Sequence, residues 1–443
     1  MVTLHVGFDD TDSPKGGCTT YIAALLVEKL QKLGATFNDY PNLIRLNPNV
    51  PWKTRGNGAL CLRMTCNENT VDTVFETVAD TVEKNSDLGF KDTDPGIVFF
   101  QGAEIPREIK IFAKKTIQSI VKMEDALKLI RRFKAEALGY GTGYGIVGAL
   151  AAIGETLDGD HTYEVIAYRT LENRGSDRRL DSASVREMDR KTRSQTFNNI
   201  DPETKRILIT PRGPDPILYG VRGETAEAVV QACKMIRPLE PIERWVVFRT
   251  NHGTDAHLKK VKTIGDVQPY YPIIVIGTVA SRPKLVPRRH RVFSIKDETG
   301  KVDCAAYEPT GILRKIARQL IIGDVVEVCG GVRPSSIKHP LTINLEKLRA
   351  LKLAPKLASH NPKCLRCGKK MSSMGVGQGF RCSKCRFRSS DLQKRVVEEK
   401  RDITEGLFIT SPRSQRHLTK PLSRYGKEKM DRPKNMLACW HCP

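Results

Sequence analysis

Apolar and polar positions alternate from the start of the chain, and Leu4, Val6 and Phe8 predict a short strand. The rhythm then changes. Ile22, Leu25, Leu26, Leu30 and Leu33 recur at helical spacing and predict an amphipathic helix. Further along, Pro48 and Pro51 fix an extended entry, Gly56 and Gly58 allow a tight turn, and the run from Ala59 to Met64 reads as a strand. These elements make up a first unit over residues 1–125. A second, over 126–258, carries a helix at 146–157, strand-like runs at 163–169, 206–210 and 217–223, a helix at 225–236 and a strand at 244–250, which suggests a ferredoxin-like α+β arrangement. Residues 268–352 read strand, strand, strand, helix, strand, strand, the element order of an OB-fold barrel, with 294–300 as a hairpin turn.

The loop between the first strand and the first helix is DDTDSPKGGCTT. It brings Asp9, Asp10 and Asp12 close together and then runs through Lys15, Gly16 and Gly17 to Cys18, Thr19 and Thr20 at the helix start. Carboxylates this close repel one another unless a divalent cation sits among them, and Mg²⁺ is commonly held by one or two carboxylates plus substrate phosphates. The free backbone N–H groups of a helix start attract phosphate oxygens. The alternative is an Asx turn with a threonine N-cap, but a turn needs one Asp rather than three. Lys15 precedes the glycines, so this is not a Walker A loop. Lys53 and Arg55 sit on the constrained turn after Pro51, where cations can bind ATP phosphates or RNA or simply decorate an exposed turn. GYGTGYG at 139–145 follows a predicted helix instead of a strand, which removes the dinucleotide reading. It is expected to act as a flexible joint in preference to a surface for close ligand approach.

Cys364-x-x-Cys367 and Cys382-x-x-Cys385 are the most specific pattern in the chain. Two such pairs converge four thiolates on a tetrahedral Zn²⁺, so residues 361–390 are expected to form a zinc ribbon whose folding free energy, on the order of 10 kcal/mol, comes mostly from the metal. Cys439, His441 and Cys442 lack a visible partner pair and are expected to lie in a loose tail.

Length and composition bound the rest. A chain of 443 residues with 40% hydrophobic content supports about three or four domains. No apolar run approaches the ~18 residues a membrane span requires, so no membrane partner is expected. Scattered cysteines suit a reducing compartment, and the cytoplasm is the expected location. The net charge of +23 is unevenly placed: residues 1–125 carry 14 Lys and Arg against 17 Asp and Glu, whereas residues 361–443 carry 20 against 7. An acidic metal-and-nucleotide front with a basic, polyanion-binding rear fits that distribution, although residues 391–443 also suit a solvated basic tail. The oligomeric state has no signature in the sequence.

The motifs DDTDS-x(4)-CTT, NPNVPWKTRGNGA and TFNNIDPETKRILITPRGPDPILYGVRGE, followed by the barrel and the ribbon, stand in a fixed order. In these the chain resembles the archaeal tRNA-isoleucine 2-agmatinylcytidine synthetase (TiaS) family. The resemblance implies a multi-domain α+β protein: a kinase-like α/β domain, a ferredoxin-like domain, an OB-fold barrel and a zinc ribbon. It implies an ATP-dependent carbon–nitrogen ligase that joins agmatine to the wobble cytidine of the minor isoleucine tRNA, whose anticodon is CAU, so that the tRNA reads AUA. By the same resemblance Asp9, Asp10 and Asp12 are assigned to Mg²⁺ and phosphate, Thr19 to phosphorylation, and Lys53 and Arg55 to charge neutralisation. Lys15, Gly16, Gly17, Cys18 and Thr20 are assigned to ATP. Agmatine carries a guanidinium, which calls for a carboxylate, and Asp201 and Asp215 are the candidates. The glycine segment departs from the family pattern, where a polar or basic residue stands among the glycines, and no role carries over to the tail. Two other classes fit parts of the pattern: a non-catalytic tRNA-binding barrel-and-ribbon protein, and an RNA or small-molecule kinase.

Overall fold

The computed structural model describes residues 1–433 and 435–443. In the first unit the predicted strand is β1 (Val2–Asp9) and the predicted helix is α1 (Thr19–Lys32). They are followed by β2 (Thr36–Phe37), β3 (Asn42–Arg45), β4 (Gly58–Cys66), α2 (Val71–Asn85), β5 (Gly96–Gln101), α3 (Arg107–Gln118), α4 (Met123–Arg132), β6 (Glu136–Gly139) and α5 (Gly145–Gly154). β1 lies at the centre, antiparallel to β4 on one side and β5 on the other. Its alternation sorts the two faces: Leu4, Val6 and Phe8 are fully buried under α1 and α2, while α3, α4 and α5 cover the opposite face.

α5 is packed harder than its sequence suggests. A side-chain carbon at Gly7 of β1 would lie 2.1 Å from the Ala149 carbonyl oxygen, and one at Gly96 of β5 would lie 2.0 Å from the Ile146 nitrogen. Glycine at these positions lets helix and sheet backbones touch. The helix expected at 146–157 in the second unit therefore packs against the first unit's sheet.

The second unit contains β7 (Thr162–Arg169), α6 (Ser182–Thr192), β8 (Thr196–Phe197), β9 (Ile217–Gly223), α7 (Ala226–Met235) and β10 (Ile242–Thr250). Numbered within the unit, its antiparallel strands lie in the order 4-1-3-2, the ferredoxin-like arrangement. The strand expected at 206–210 does not form. The segment makes an isolated bridge between Ile200 and Ile207 and one bond from Gly220 N–H to the Ile209 carbonyl, before Pro211 ends it. Parallel pairing of β10 with β3, Arg249 opposite Asn42 and Thr250 opposite Leu43, fuses both units into one 11-stranded sheet among the described residues. At that join Arg249 is buried, its Nε 3.0 Å from Asp39 Oδ1 and its Nη1 2.9 Å from the Leu157 carbonyl oxygen. Removing one partner of such a pair strands the other charge, at a cost of about 3–5 kcal/mol.

The barrel is formed by β12 (Pro272–Val279), β14 (His290–Lys296), β15 (Lys301–Ala306), β16 (Val325–Arg333) and β17 (Thr342–Lys352), with α8 (Ile312–Ala317) after the third of these strands. β11 (Lys259–Lys260) and β13 (Lys284–Val286) are edge additions, and pairing of β12 with both β16 and β14 closes the wall. Its core, with Phe293, Ile295 and Leu348, is separate from those of the large sheet.

Beyond the barrel come β18 (Leu357–His360), the ribbon strands β19 (Ser372–Ser373), β20 (Phe380–Arg381) and β21 (Arg388–Ser389), and then β22 (Arg395–Glu398), paired with β18. The remainder overturns the expectation of a loose basic tail. β23 (Gly406–Ile409) adds a strand to the barrel on β17, and β24 (His441–Cys442) adds one to β10. Between them the chain acts as a strap whose charges are matched by acids elsewhere. Arg413 binds Asp201 at 2.8 Å, Lys420 binds Asp160 at 3.1 Å, and the fully buried Arg424 binds Glu224 at 2.9 Å and Asp160 at 2.8 Å. Trp440, in the sequence CWHC, is 6% exposed and packs edge-on against Phe37 and Tyr40. A basic segment with distant acidic partners looks solvated in sequence because those partners are hundreds of residues away.

Candidate active site at the sheet seam

The C-terminal end of β1, the 9–20 loop, the β3–β4 connection, the start of α5, the 211–217 segment and the strap enclose a cavity of about 250 Å³. Asp9, Asp10 and Asp12 line it together with Cys18, Thr19, Thr20, Lys53, Arg55 and Asp215, so most of the predicted site converges. Each aspartate is held differently. Asp9 ends β1 and lies flat against α5, where a side-chain carbon at Gly148 would come within 1.8 Å of its Oδ2. Asp10 has a φ of +61°, a conformation Asp tolerates, and its Oδ2 accepts the Asp94 backbone N–H at 3.1 Å. Asp12 faces the other wall: Oδ1 accepts from Thr54 Oγ1 at 3.1 Å and Oδ2 from Arg55 Nε at 2.6 Å.

Burial and the neighbouring carboxylates raise the Asp9 carboxyl well above the usual carboxylate range. Burial foremost, then the charges of Asp12, Asp94 and Asp92, pushes Asp10 up to about 6 against the bond from Asp94 N–H. The three carboxylates do not converge on one point. Among the described residues, four cysteines form the only set of three or more Cys, His, Asp or Glu side chains whose ligand atoms all lie within 4.8 Å of one another.

Arg55 links the walls. Its Nη2 donates to the Gly17 carbonyl at 2.7 Å and its Nη1 to Asp215 Oδ2 at 3.3 Å. Burial is the largest influence and opposes its charge, but Asp12, Cys18 and Asp215 together outweigh it and hold the guanidinium above its ordinary value. Lys53 Nζ donates to the Arg55 carbonyl at 3.0 Å, and burial and then Arg416 lower its pKa. Thr19 Oγ1 accepts from Thr11 Oγ1 at 3.0 Å within the first turn of α1. The Cys18 thiol lies 3.1 Å from Thr20 Oγ1, and burial raises its pKa, which disfavours the nucleophilic thiolate.

Other predicted residues stand apart from the cavity. Lys15 is exposed, 5.5 Å over the Phe90 ring, in a turn closed by the Ser13–Gly16 bridge, and neither it nor Gly16 lines the cavity. Gly17 is needed for its φ of +75°; a side chain there would lie 2.9 Å from the Thr11 carbonyl oxygen. Asp201 is a turn residue: buried outside the cavity, it accepts the Glu203 N–H at 2.8 Å, the Thr204 N–H at 3.2 Å and Arg413. Asp215 lines the cavity but already faces Arg55 and, at 3.2 Å, Arg178 Nη2. In GYGTGYG, Thr142 binds Asp94 through both N–H and Oγ1, at 2.9 and 2.6 Å, and the glycines serve backbone packing in place of a loose joint.

The structure adds residues that sequence patterns did not reveal. Glu164, on β7, is buried; its Oε1 accepts from Arg222 Nε at 3.0 Å, and its Oε2 lies 3.0 Å from His252 Nδ1. His252 Nε2 accepts from Arg45 Nε at 2.6 Å, which places its proton on Nδ1, towards Glu164. Burial drops His252 to about 3, whereas Arg222, His252 and Arg45 together overcome burial and hold Glu164 far below its usual range. His417, from the strap, stacks on His252 with ring centres 5.0 Å apart and lines the cavity beside Arg45. One sequence signal was available: Glu164 is the only acidic residue in the buried strand TYEVIAYR.

In the ribbon, Cys364 and Cys385 sulfurs lie 3.4 Å apart, as do those of Cys367 and Cys382. Four thiols in this arrangement suit tetrahedral Zn²⁺. Backbone N–H groups of Cys385 and Lys384 help to hold Cys382 down at about 6, which favours the thiolate a metal needs. Around the sulfurs, Lys363, Arg366, Lys369, Lys370, Arg381, Lys384, Arg386 and Arg388 are exposed and form no ion pair among the described residues.

Family models match most of the chain. The TiaS TCKD domain matches residues 5–142, the TiaS FLD domain 143–257, and the TiaS C-terminal zinc ribbon domain 361–403. These divide the first two units at the glycine segment rather than at 125, and extend the ribbon past 390. The 2-agmatinylcytidine synthetase TiaS of Pyrococcus horikoshii, named for the second isoleucine tRNA, is 44% identical over 95% of this chain and 96% of its own. That of Methanocaldococcus jannaschii is 40% identical over 95% and 99%. Two crystal structures of TiaS bound to that tRNA, one with ATP and one with AMPCPP and agmatine, superpose with TM-scores of 0.87 and 0.85, at 38% and 35% identity, each covering 96% of this chain and 98% of the other. A zinc-ribbon-deleted TiaS in complex with agmatine superposes at 0.75, with 30% identity over 96% of this chain and 97% of the other. With matches of this extent to sequence and structure alike, the chain belongs to the TiaS family.

Proposed function

We propose that the chain is an ATP-dependent ligase that replaces the 2-oxo group of the wobble cytidine of the minor isoleucine tRNA with agmatine. The observation that carries this is the seam cavity, with carboxylates on one wall and cations on the other, in a chain aligned nearly end to end with synthetases solved with the second isoleucine tRNA, ATP and agmatine.

A cytosine 2-oxo group is a poor leaving group. In the reading proposed, the O2 oxygen attacks a phosphoryl group of ATP, the bond to the nucleotide's leaving phosphate breaks, and O2 becomes a phosphate ester. The primary amine of agmatine then forms a bond to C2, the C2–O2 bond breaks with loss of phosphate, and the amine gives up its extra proton. Phosphoryl transfer of this kind depends on positioning and charge neutralisation more than on a covalent catalyst.

Several residues of the cavity have a part in that scheme. Asp9 and Asp10 fit one Mg²⁺ as hard oxygen ligands in a pair that burial makes reluctant to ionise without a cation. Bound Mg²⁺ would neutralise phosphate charge. Arg55 and Lys53 contribute the cations of the facing wall, and the first turn of α1, with Cys18, Thr19 and Thr20, offers N–H groups to phosphate oxygens. When Arg55 turns to phosphate, Asp215 loses one of its two guanidinium partners and becomes the carboxylate for agmatine. Trp52, 49% exposed, meets Tyr144 edge-on at 5.8 Å and both line the cavity, giving an extruded base a surface on which to stack. The exposed cations of the ribbon suit tRNA phosphates.

Mass spectrometry of the wobble nucleoside after incubation with tRNA, ATP, Mg²⁺ and agmatine tests the reading. Agmatine must appear on the base, and leaving out either agmatine or ATP must abolish that mass gain. A phosphorylated product unaffected by agmatine would identify a kinase instead.

A further inference from the structure

Two side chains face the cavity with donors that no described residue satisfies. Arg45 ends β3 and gives its Nε to His252, but neither of its terminal nitrogens has a protein partner among the described residues. His417 arrives from the far end of the chain. Its Nδ1 accepts from Arg222 Nη2 at 3.1 Å, which places the ring proton on Nε2, and that N–H is likewise without a protein partner among the described residues. A side-chain carbon built on Gly56 would stand 2.6 Å from Arg45 Nη1 and 3.3 Å from His417 Nε2. Both donors therefore converge on the same stretch of the turn that carries Lys53 and Arg55.

One carboxylate organises the pair. Glu164 holds Arg222 through Oε1 and brings Oε2 to 3.0 Å from His252 Nδ1, Arg222 donates to His417, and Arg45 donates its Nε to His252. The imidazoles stack, which fixes the separation of the two arms. The strap is pinned on both sides of the histidine: Gly253 N–H binds the His417 carbonyl at 2.8 Å, Asp255 N–H binds the Leu418 carbonyl at 2.8 Å, and Arg416 Nη1 binds the Pro48 carbonyl at 2.9 Å. Burial, with Arg45 and Arg222 nearby, keeps His417 uncharged, while Arg45, brought down to about 10 mainly by burial, stays a cation at neutral pH. An enclosed guanidinium with no carboxylate on its terminal nitrogens calls for an anion from outside.

We propose that Arg45 and the Nε2–H of His417 jointly bind the oxygens of a phosphoryl group in the seam cavity, so that the C-terminal strap completes the site. This rests on the ATP-dependent ligase reading and extends it to residues which that reading leaves without a part. The phosphoryl group belongs either to the bound nucleotide or to the activated base.

Full-length wild-type, His417→Ala and His417→Gln proteins separate the possibilities, the last keeping an N–H donor and an acceptor for Arg222. Removing one preorganised donor from developing phosphoryl charge lowers kcat for the agmatinylated nucleoside by ~10²-fold in His417→Ala, and His417→Gln recovers most of the loss. If the group is on the nucleotide, the Kd of a non-hydrolysable ATP analogue with Mg²⁺ rises by ~10-fold as well; if it is on the base, that Kd is unchanged. Binding of tRNA stays at the wild-type value in either case. Product formation by His417→Ala at the wild-type rate with unchanged analogue affinity overturns the proposal, as does equal impairment of the Ala and Gln proteins at equal Tm. If His417→Ala does not fold, the rate and analogue affinity of His417→Gln against Arg45→Gln, which removes the cation, decide: the proposal requires the arginine variant to be the weaker. A wild-type protein that makes no agmatinylated base sinks the functional reading, while the analogue titration still reports on His417.

Discussion

Arg55 Nε sits 2.6 Å from Asp12 Oδ2, and the same guanidinium reaches Asp215 with Nη1 at 3.3 Å. A single cation thus ties the aspartate loop of the first unit to a carboxylate of the second. Asp12→Ala frees Arg55 from the aspartate loop, so a cation proposed to meet phosphate loses the carboxylate that positions it. Product formation is expected to fall by ~10²-fold or more while tRNA affinity stays within a few-fold. Parallel activity and filter-binding measurements check this, and loss of both in equal measure would point to a binding module.

The raised carboxyls of Asp9 and Asp10 predict a pH-dependent metal response. Between the ordinary carboxylate value near 4 and about 6, the folded protein keeps a proton on Asp10 that the unfolded chain has released. Native stability contributed by this group therefore falls as pH rises through that window. A cation takes the proton's place, so Mg²⁺ is expected to raise Tm at about pH 7.5 and to do little at about pH 5. Thermal scans with and without Mg²⁺ at both pH values test it; an equal shift at both contradicts metal binding by these carboxylates.

Gly148→Ala probes the same carboxylates without touching an acid. The added methyl would lie 1.8 Å from Asp9 Oδ2 and 2.6 Å from its Cγ, so either α5 or Asp9 must move. Overpacking of this kind costs about 1–3 kcal/mol. The expected result is a lower Tm together with weaker Mg²⁺-dependent nucleotide binding by calorimetry. Full retention of nucleotide affinity would show that Asp9 is not part of the metal site.

What was legible in the sequence had a local signature. Leu4, Val6 and Phe8 announced β1 by alternation, Cys364 to Cys385 announced the ribbon by spacing, and the order of five strands and a helix announced the barrel. Asp9 to Asp12 were visible as a run, and Lys53 and Arg55 as cations on a proline- and glycine-framed turn. Arg45, His252 and His417 carry no such signature, because each is functional only through neighbours brought from β7, β9 and the strap. Asp201 misled for the converse reason: its neighbours in sequence include a fitting motif, but its carboxylate is already satisfied by two backbone N–H groups and Arg413. The strap looked loose because its salt partners, Asp160, Asp201 and Glu224, lie 200 to 264 residues away.

The strap also separates two kinds of truncation. His360 and Arg395 stand opposite each other where β18 and β22 pair, so residues 361–394 can be replaced by a short turn without disturbing either strand. That excision is expected to weaken tRNA binding and flatten its salt dependence, since the exposed ribbon cations are lost, while affinity for the ATP analogue is unchanged. Removing residues 404–443 instead takes away β23, Arg424 and His417 and is expected to destroy the seam cavity. Titrations of the two proteins at several salt concentrations distinguish these outcomes, and an unchanged salt slope after excision counts against a phosphate role for the ribbon.

In the proposed reaction the cytidine oxygen leaves as part of a phosphate. Placing ¹⁸O at the O2 position of the wobble cytidine and following the label by mass spectrometry during one round of agmatine transfer measures this directly. The label is expected to end in inorganic phosphate. Label recovered in water, or retained on the base while agmatine is joined, would contradict it.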